Sequence, residues 1–140
     1  MSQSEDTAHD DPTESIYRDY VLDVRIVECE TADGTVYRFE APFNAGMEFD
    51  DPGTAELYAD VYFDVNGFDE DGVGERGVPP EIVQAGRDTL SAYFLTQRYA
   101  DLQWVASFYG KPPEKIQRYV DRVRRRAESI REGAVERGVA

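Results

Sequence analysis

The chain has 140 residues, a formal net charge of −14, one cysteine and one histidine. That length fits one domain with a true core, and no apolar run approaches the roughly 18 residues of a membrane-spanning helix. The lone Cys29 excludes an internal disulfide, and a chain with one histidine and one cysteine falls short of the usual zinc ligand set and of a His-dependent triad.

The opening "MSQSEDTAHDDPTES" has neither the basic start nor the apolar stretch of a secretory signal, which predicts a cytoplasmic protein. Residues 1–15 are acidic and without periodicity, and are expected to form a disordered tail. From Tyr17 apolar and polar residues alternate as in a strand, and Cys29 falls within this alternation as a strand cysteine without chemistry. Asp33-Gly34 supplies a turn signal, and "TVYRFEAPF" follows with β-branched and aromatic residues. A hairpin over about 18–30 and 35–41 is predicted.

Residues 51–67 carry two patterns. Leu57, Ala59, Val61, Phe63 and Val65 alternate, while Leu57, Tyr58, Val61, Tyr62 and Val65 share a helical face. Asp51 before Pro52 suits a helix start and Asn66-Gly67 a helix stop, so the helix is preferred over a third strand. Residues 68–80 read as an acidic linker. Set against a calcium loop beginning at Asp69, Gly74 fits, but Val73 and Pro80 stand where oxygen ligands are needed. Helices are then expected over 79–99, 101–110 and 112–138, with Asp101 as a cap and Gly110 as a stop. The predicted architecture is α+β: an N-terminal β-hairpin, a third strand or a helix at 52–66, and a three-helix C-terminal half. The domain is expected to span 16–140, with hairpin and following element at 16–67, linker at 68–80 and helical part at 81–138.

Charge is unevenly placed. Residues 1–75 hold 21 acids against three arginines, whereas residues 111–131 hold eight bases against Glu114, Asp121 and Glu128. A basic segment inside a chain that elsewhere avoids bases points to a located function. With 13 arginines and two lysines on an acid-rich background, the composition resembles that of proteins from extreme halophiles, where salt screens self-repulsion.

Lys111, Lys115, Arg118, Arg122 and Arg125, with Arg126 nearby, recur at three- and four-residue spacing. Ile116, Val120, Val123, Ala127, Ile130 and Ala134 form a separate stripe with heptad spacing. That stripe packs against the protein's own helices or, in a homodimer, against a second copy. Upstream, Ala106 is followed four residues later by Gly110, then by Ile116 and Tyr119, with Leu102 and Val105 inward. A small residue where two helices cross and a glycine at the turn are what such a corner demands.

Over residues 102–121 this pattern resembles helix-turn-helix DNA-binding proteins. The resemblance implies a second helix docked in the major groove. Pro113, Glu114, Lys115, Gln117 and Arg118 would then face DNA, and Arg122 a phosphate. Gln117 would offer an amide to adenine and Arg118 a fork to guanine. Two features depart from the pattern: Pro112-Pro113 at the usual Ser or Thr cap, and the aromatic Trp104 and Phe108. The function expected is a small, dimeric DNA-binding regulator with Lys111, Lys115, Gln117, Arg118, Arg122 and Arg125 as its contact residues. The alternative is an adaptor whose arginine helix grips an acidic protein partner. No phosphate-loop or dinucleotide fingerprint is present, and Ser91 and Ser107 have no companion histidine, so neither catalysis, cofactor nor metal is expected.

Overall fold

A computed structural model describes residues 13–70 and 78–138. Four strands come first: β1 (Thr13–Asp19), β2 (Arg25–Thr31), β3 (Gly34–Ala41) and β4 (Asn44–Phe49). They form one antiparallel sheet in the order β1-β2-β3-β4, so each strand pairs with its neighbour in sequence. Five helices follow: α1 (Pro52–Asp64), α2 (Pro80–Ala85), α3 (Arg87–Leu95), α4 (Leu102–Tyr109) and α5 (Pro113–Glu136). The α+β class is as expected.

The expected strand 18–30 is two strands. Leu22 and Asp23 both adopt positive φ (62° and 61°), which bends the chain back after β1. Of the expected tail, residues 1–12 lie outside those described, and residues 13–15 belong to β1, with Thr13 opposite Glu30. The predicted hairpin is β2–β3, closed by Ala32-Asp33 with Thr31 opposite Gly34. The Thr31 hydroxyl donates to the Gly34 carbonyl (2.7 Å) and accepts from the Asp33 amide (3.2 Å). β4 was not anticipated.

The sheet has two unlike faces. Ile26, Phe39, Ala41 and Phe49 point to the helices and are buried. On the other face Arg38 donates to Glu14 and Glu40, and Arg25 to Glu40. The alternation of the strands produces this division directly.

Residues 52–64 are a helix. The Asp51 carboxylate accepts from the Thr54 amide (3.0 Å), and Pro52 occupies the first turn, where its missing N–H is of no consequence. At the far end Asn66 takes φ 60° and the Gly67 amide donates to the Tyr62 carbonyl (2.8 Å). α1 packs against β3 and β4 and also against α3 and α5. Its seven buried residues include Leu57, Tyr58, Val61 and Phe63. Burial on more than one side explains why its apolar pattern satisfied two periods.

Phe68 is also buried, with its ring centroid 5.4 Å from that of Tyr58 and 6.1 Å from that of Tyr93. The first residue of the expected linker, Phe68, therefore belongs to the core, and the calcium-loop reading falls largely on residues outside those described. The expected helix 79–99 divides at Gly86, whose φ of 109° and ψ of −178° suit glycine alone. It stops at Leu95, after which residues 96–100 form a connection.

α5 closes the structure. Val120, Val123 and Ala127 join the main core with α1, α3 and the sheet. The heptad stripe is thus consumed within the chain, and Ile116, Val120, Val123 and Ala127 are almost fully buried. Arg131 of the same helix lies between the Tyr20 and Phe63 rings, 5.2 Å from each centroid, and donates to Asp60 at 2.9 Å.

Candidate nucleic-acid interface

The corner between α4 and α5 is built from local rules. The Asp101 carboxylate accepts from the Trp104 amide at 2.8 Å and starts α4. Gly110 ends it in the left-handed conformation (φ 63°, ψ 38°). The Lys111 amide donates to the Ala106 carbonyl (2.9 Å) and the Gly110 amide to the Ser107 carbonyl (3.2 Å). These two bonds satisfy carbonyls that the helix end would leave unpaired. Pro112 keeps the chain extended (ψ 152°) and Pro113 enters the first turn of α5. Proline thus replaces a side-chain cap by fixing the backbone.

Val105 and Ala106 of α4 meet Ile116 and Tyr119 of α5, with Phe94 of α3 alongside. All five are at least 94% buried. The small side chain at 106 lets the helices approach, and burying Val105 and Ile116 contributes about 1.5–3 kcal/mol each. The corner expected from the sequence spacing is therefore formed, and α3, α4 and α5 pack on one another around it.

The six predicted contact residues divide. Lys111, Gln117, Arg118 and Arg125 are exposed, and Lys115 is half-buried with Nζ 5.9 Å from the Tyr119 centroid. Among the described residues neither Lys111, Lys115, Arg118 nor Arg125 has an ion-pair partner. Gln117 Nε2 donates to Asp121 Oδ1 at 3.3 Å. Arg122 is shared: Nη1 is 3.5 Å from Asp88 Oδ1, and the guanidinium stands 5.7 Å from the Tyr119 centroid.

Arg126 is fully committed. Its Nε and Nη2 reach Asp64, at 2.7 and 3.0 Å, and its Nη1 reaches Asp88 at 3.2 Å. The basic stripe therefore has an inner flank locked to carboxylates of α1 and α3. Its outer flank is Lys111, Lys115, Arg118 and Arg125, interleaved with Glu114 and Asp121. Spacing along one helix located the stripe, but it carried no signal for the acids that α1 and α3 bring to its edge.

Two further arrangements escaped the sequence. Tyr58 donates to Glu70 Oε2 at 2.6 Å and Tyr93 to Glu70 Oε1 at 3.0 Å, while Asn44 Nδ2 donates to the Tyr58 hydroxyl at 3.0 Å. Burial, with Glu70 adding to it, holds both phenol pKa values far above their usual range, so both hydroxyls keep the proton that they donate to Glu70. The second is an aromatic surface at Tyr99, Trp104 and Phe108, all exposed.

Ser91 is fully buried and its Oγ has no hydrogen-bond partner among the described residues. Among the described residues no three His, Cys, Asp or Glu side chains are grouped to hold a metal ion, and no helix is long and apolar enough to cross a membrane. No family model, curated relative or solved structure matches the chain.

Proposed function

We propose that the protein is a small DNA-binding regulator that reads duplex DNA with the first turns of α5, in a cytoplasm of high salt. The observation that carries this reading is the α4–Gly110–α5 corner, which presents Lys111, Lys115, Arg118 and Arg125 outward without carboxylate partners among the described residues. In this reading Gln117 and Arg118 touch base edges, while Lys111, Lys115 and Arg125 touch phosphates. Arg122 contributes less, because Asp88 already holds it. A second copy would supply the second half-site.

Salt shapes the mechanism. Affinity from phosphate contacts falls with a slope of about −0.9 per contact in log–log form. Recognition in concentrated salt then rests on base edges and shape. The test is selection from a random duplex pool, followed by fluorescence anisotropy from about 0.1 to about 2 M KCl. The expected result is a sequence preference that survives at the upper salt limit. Gln117→Ala with Arg118→Ala changes that preference, while Arg125→Ala lowers the salt slope by about 0.9. Absence of any sequence preference over the whole salt range would overturn the reading.

One observation favours an adaptor instead: Glu114 and Asp121 alternate with the free cations, giving the mixed-charge face common at protein–protein contacts. In that case the same helix grips a protein partner and duplex DNA does not compete.

A further inference from the structure

We infer that the protein has a second binding surface, a groove between the β4–α1 junction and the α3–α4 connection, which docks an arginine- or lysine-bearing peptide of a partner protein. The groove has a volume of about 490 Å³, and Met47, Glu48, Asp50, Leu95, Arg98 and Tyr99 are among the residues that line it. Tyr99 joins it to the aromatic surface of α4: its ring is 5.3 Å from Trp104, edge to face. Trp104 in turn stacks on Phe108, with centroids 5.4 Å apart and planes 9° from parallel. Phe94 lies buried beneath, 5.2 Å from Trp104 and 5.3 Å from Phe108.

Three large rings facing solvent together are unusual for a surface with no task. Tyr99 and Phe108 are more than half exposed, at 58% and 57%. Tryptophan and tyrosine beside a concave site are the side chains that carry most binding energy in protein contacts.

The charge at the groove selects the occupant. Glu48 and Asp50 are exposed and have no ion-pair partner among the described residues. Asp51 adds a third carboxylate, although its Oδ2 already accepts from Thr54. Arg98 is the one cation in the lining. Carboxylates from the β4–α1 junction and the exposed Tyr99 ring from the α3–α4 connection suit a guanidinium or ammonium, which rings attract through their π faces. A phosphate backbone would be repelled, so this surface is chemically opposite to the outer flank of α5 and independent of it.

Trp104 is the chain's single tryptophan, so its emission reports on the surface directly. The experiment titrates the full chain with a synthetic peptide of alternating arginine and leucine, and separately with its glutamate–leucine counterpart. KCl at about 0.5 M suppresses unspecific attraction to an acidic protein. A saturable change in Trp104 emission with the arginine peptide alone is expected. Tyr99→Ala or Phe108→Ala should weaken it about tenfold, Glu48→Gln with Asp50→Asn about threefold or more, and Arg98→Gln should tighten it.

Asp19→Asn with Asp23→Asn removes the same charge elsewhere and should leave the affinity unchanged. Arg98→Gln adds no cavity and requires no refolding of the core, so its direction tests the proposal even if an aromatic variant misfolds. The proposal falls if the remote pair weakens binding as much as the groove pair. It also falls if the glutamate peptide binds better, or if Trp104 emission shifts on dilution of the protein alone, which would mark a second copy as the occupant.

Discussion

Arg126 and Asp64 stand 62 positions apart in the chain, and their side chains meet at 2.7 Å with a second bond at 3.0 Å. The Asp64 side chain is nearly fully buried, whereas the Arg126 side chain is 43% exposed. The pair ties the end of α1 to the middle of α5. Thr89 donates to the same carboxylate at 2.6 Å, and Asp88 holds the third guanidinium nitrogen.

Arg126→Ala should therefore destabilise the protein, because it strands a buried carboxylate. Breaking a fully buried pair costs about 3–5 kcal/mol. The exposure of Arg126 and the remaining Thr89 bond reduce the expected loss to about 1–3 kcal/mol. Arg125→Ala, one residue away on the outer flank, should stay within about 0.5 kcal/mol. Urea unfolding at fixed salt measures both, and equal losses would mean that the inner flank is not structural.

Asp60 and Glu40 should give stability opposite dependences on pH. Burial raises the Asp60 pKa above its ordinary 3.8, and Arg131 only partly offsets this. The native state then holds that proton more tightly than the unfolded chain, so the contribution of Asp60 falls as pH rises from 3.8 through its folded value. Burial also acts to raise Glu40, but hydrogen bonds from Arg25 and Arg38 outweigh it and leave the pKa below 4.5. Its contribution is present above 4.5 and is lost as pH falls through the folded value. Unfolding free energies for wild type, Asp60→Asn and Glu40→Gln over about pH 3–7 test the two slopes. The difference between wild type and Asp60→Asn should shrink with rising pH, and that for Glu40→Gln should grow.

Gly110→Ala should cost about 1–2 kcal/mol through backbone conformation alone, since an added Cβ meets no atom within 4 Å at φ +63°. Gly110→Asn should cost less, as asparagine tolerates this region. Ala106→Leu acts by a different route: the extra volume enters the buried contact with Ile116 and Tyr119 and should cost about 1–3 kcal/mol. Thermal melts distinguish a local strain from a displaced helix when combined with near-UV dichroism of Trp104.

Tyr58→Phe should cost about 1–3 kcal/mol, because it leaves Asn44 Nδ2 and Glu70 Oε2 each short of a partner in a buried setting. Tyr93→Phe should cost less, since Glu70 keeps its 2.6 Å bond from Tyr58. Denaturant midpoints of the two variants give the comparison.

Much of this organisation was legible wherever a local rule decided it. Asp51-Pro52 and Asn66-Gly67 marked the ends of α1, and Ala106, Gly110 and Ile116 marked the corner, because caps and left-handed glycines act within a few residues. The break between β1 and β2 was not legible. Leu22 and Asp23 hold positive φ without the glycine that usually announces it. β4 was missed because Asn44, Ala45, Gly46 and Met47 are weak strand formers, paired by β3 rather than by their own preference. Gly86 looked like a tolerated glycine in a helix, since Ile82 and Leu90 keep helical spacing across it. The inner flank of α5 was hidden for a tertiary reason: a cation's partner on another helix leaves no trace in the spacing of its own.

The sequential sheet and the late guanidinium partners impose an order on biosynthesis. Each strand meets its neighbour within a few residues of emerging, but Asp60 and Asp64 wait 71 and 62 residues for Arg131 and Arg126. At ribosomal speeds of about 5–20 residues per second, that delay is roughly 3–15 seconds. During it the first helix has the sheet to pack on but lacks the guanidinium partners of Asp60 and Asp64. α5 then acts as a clasp, closing on α1 only after that helix itself has been made.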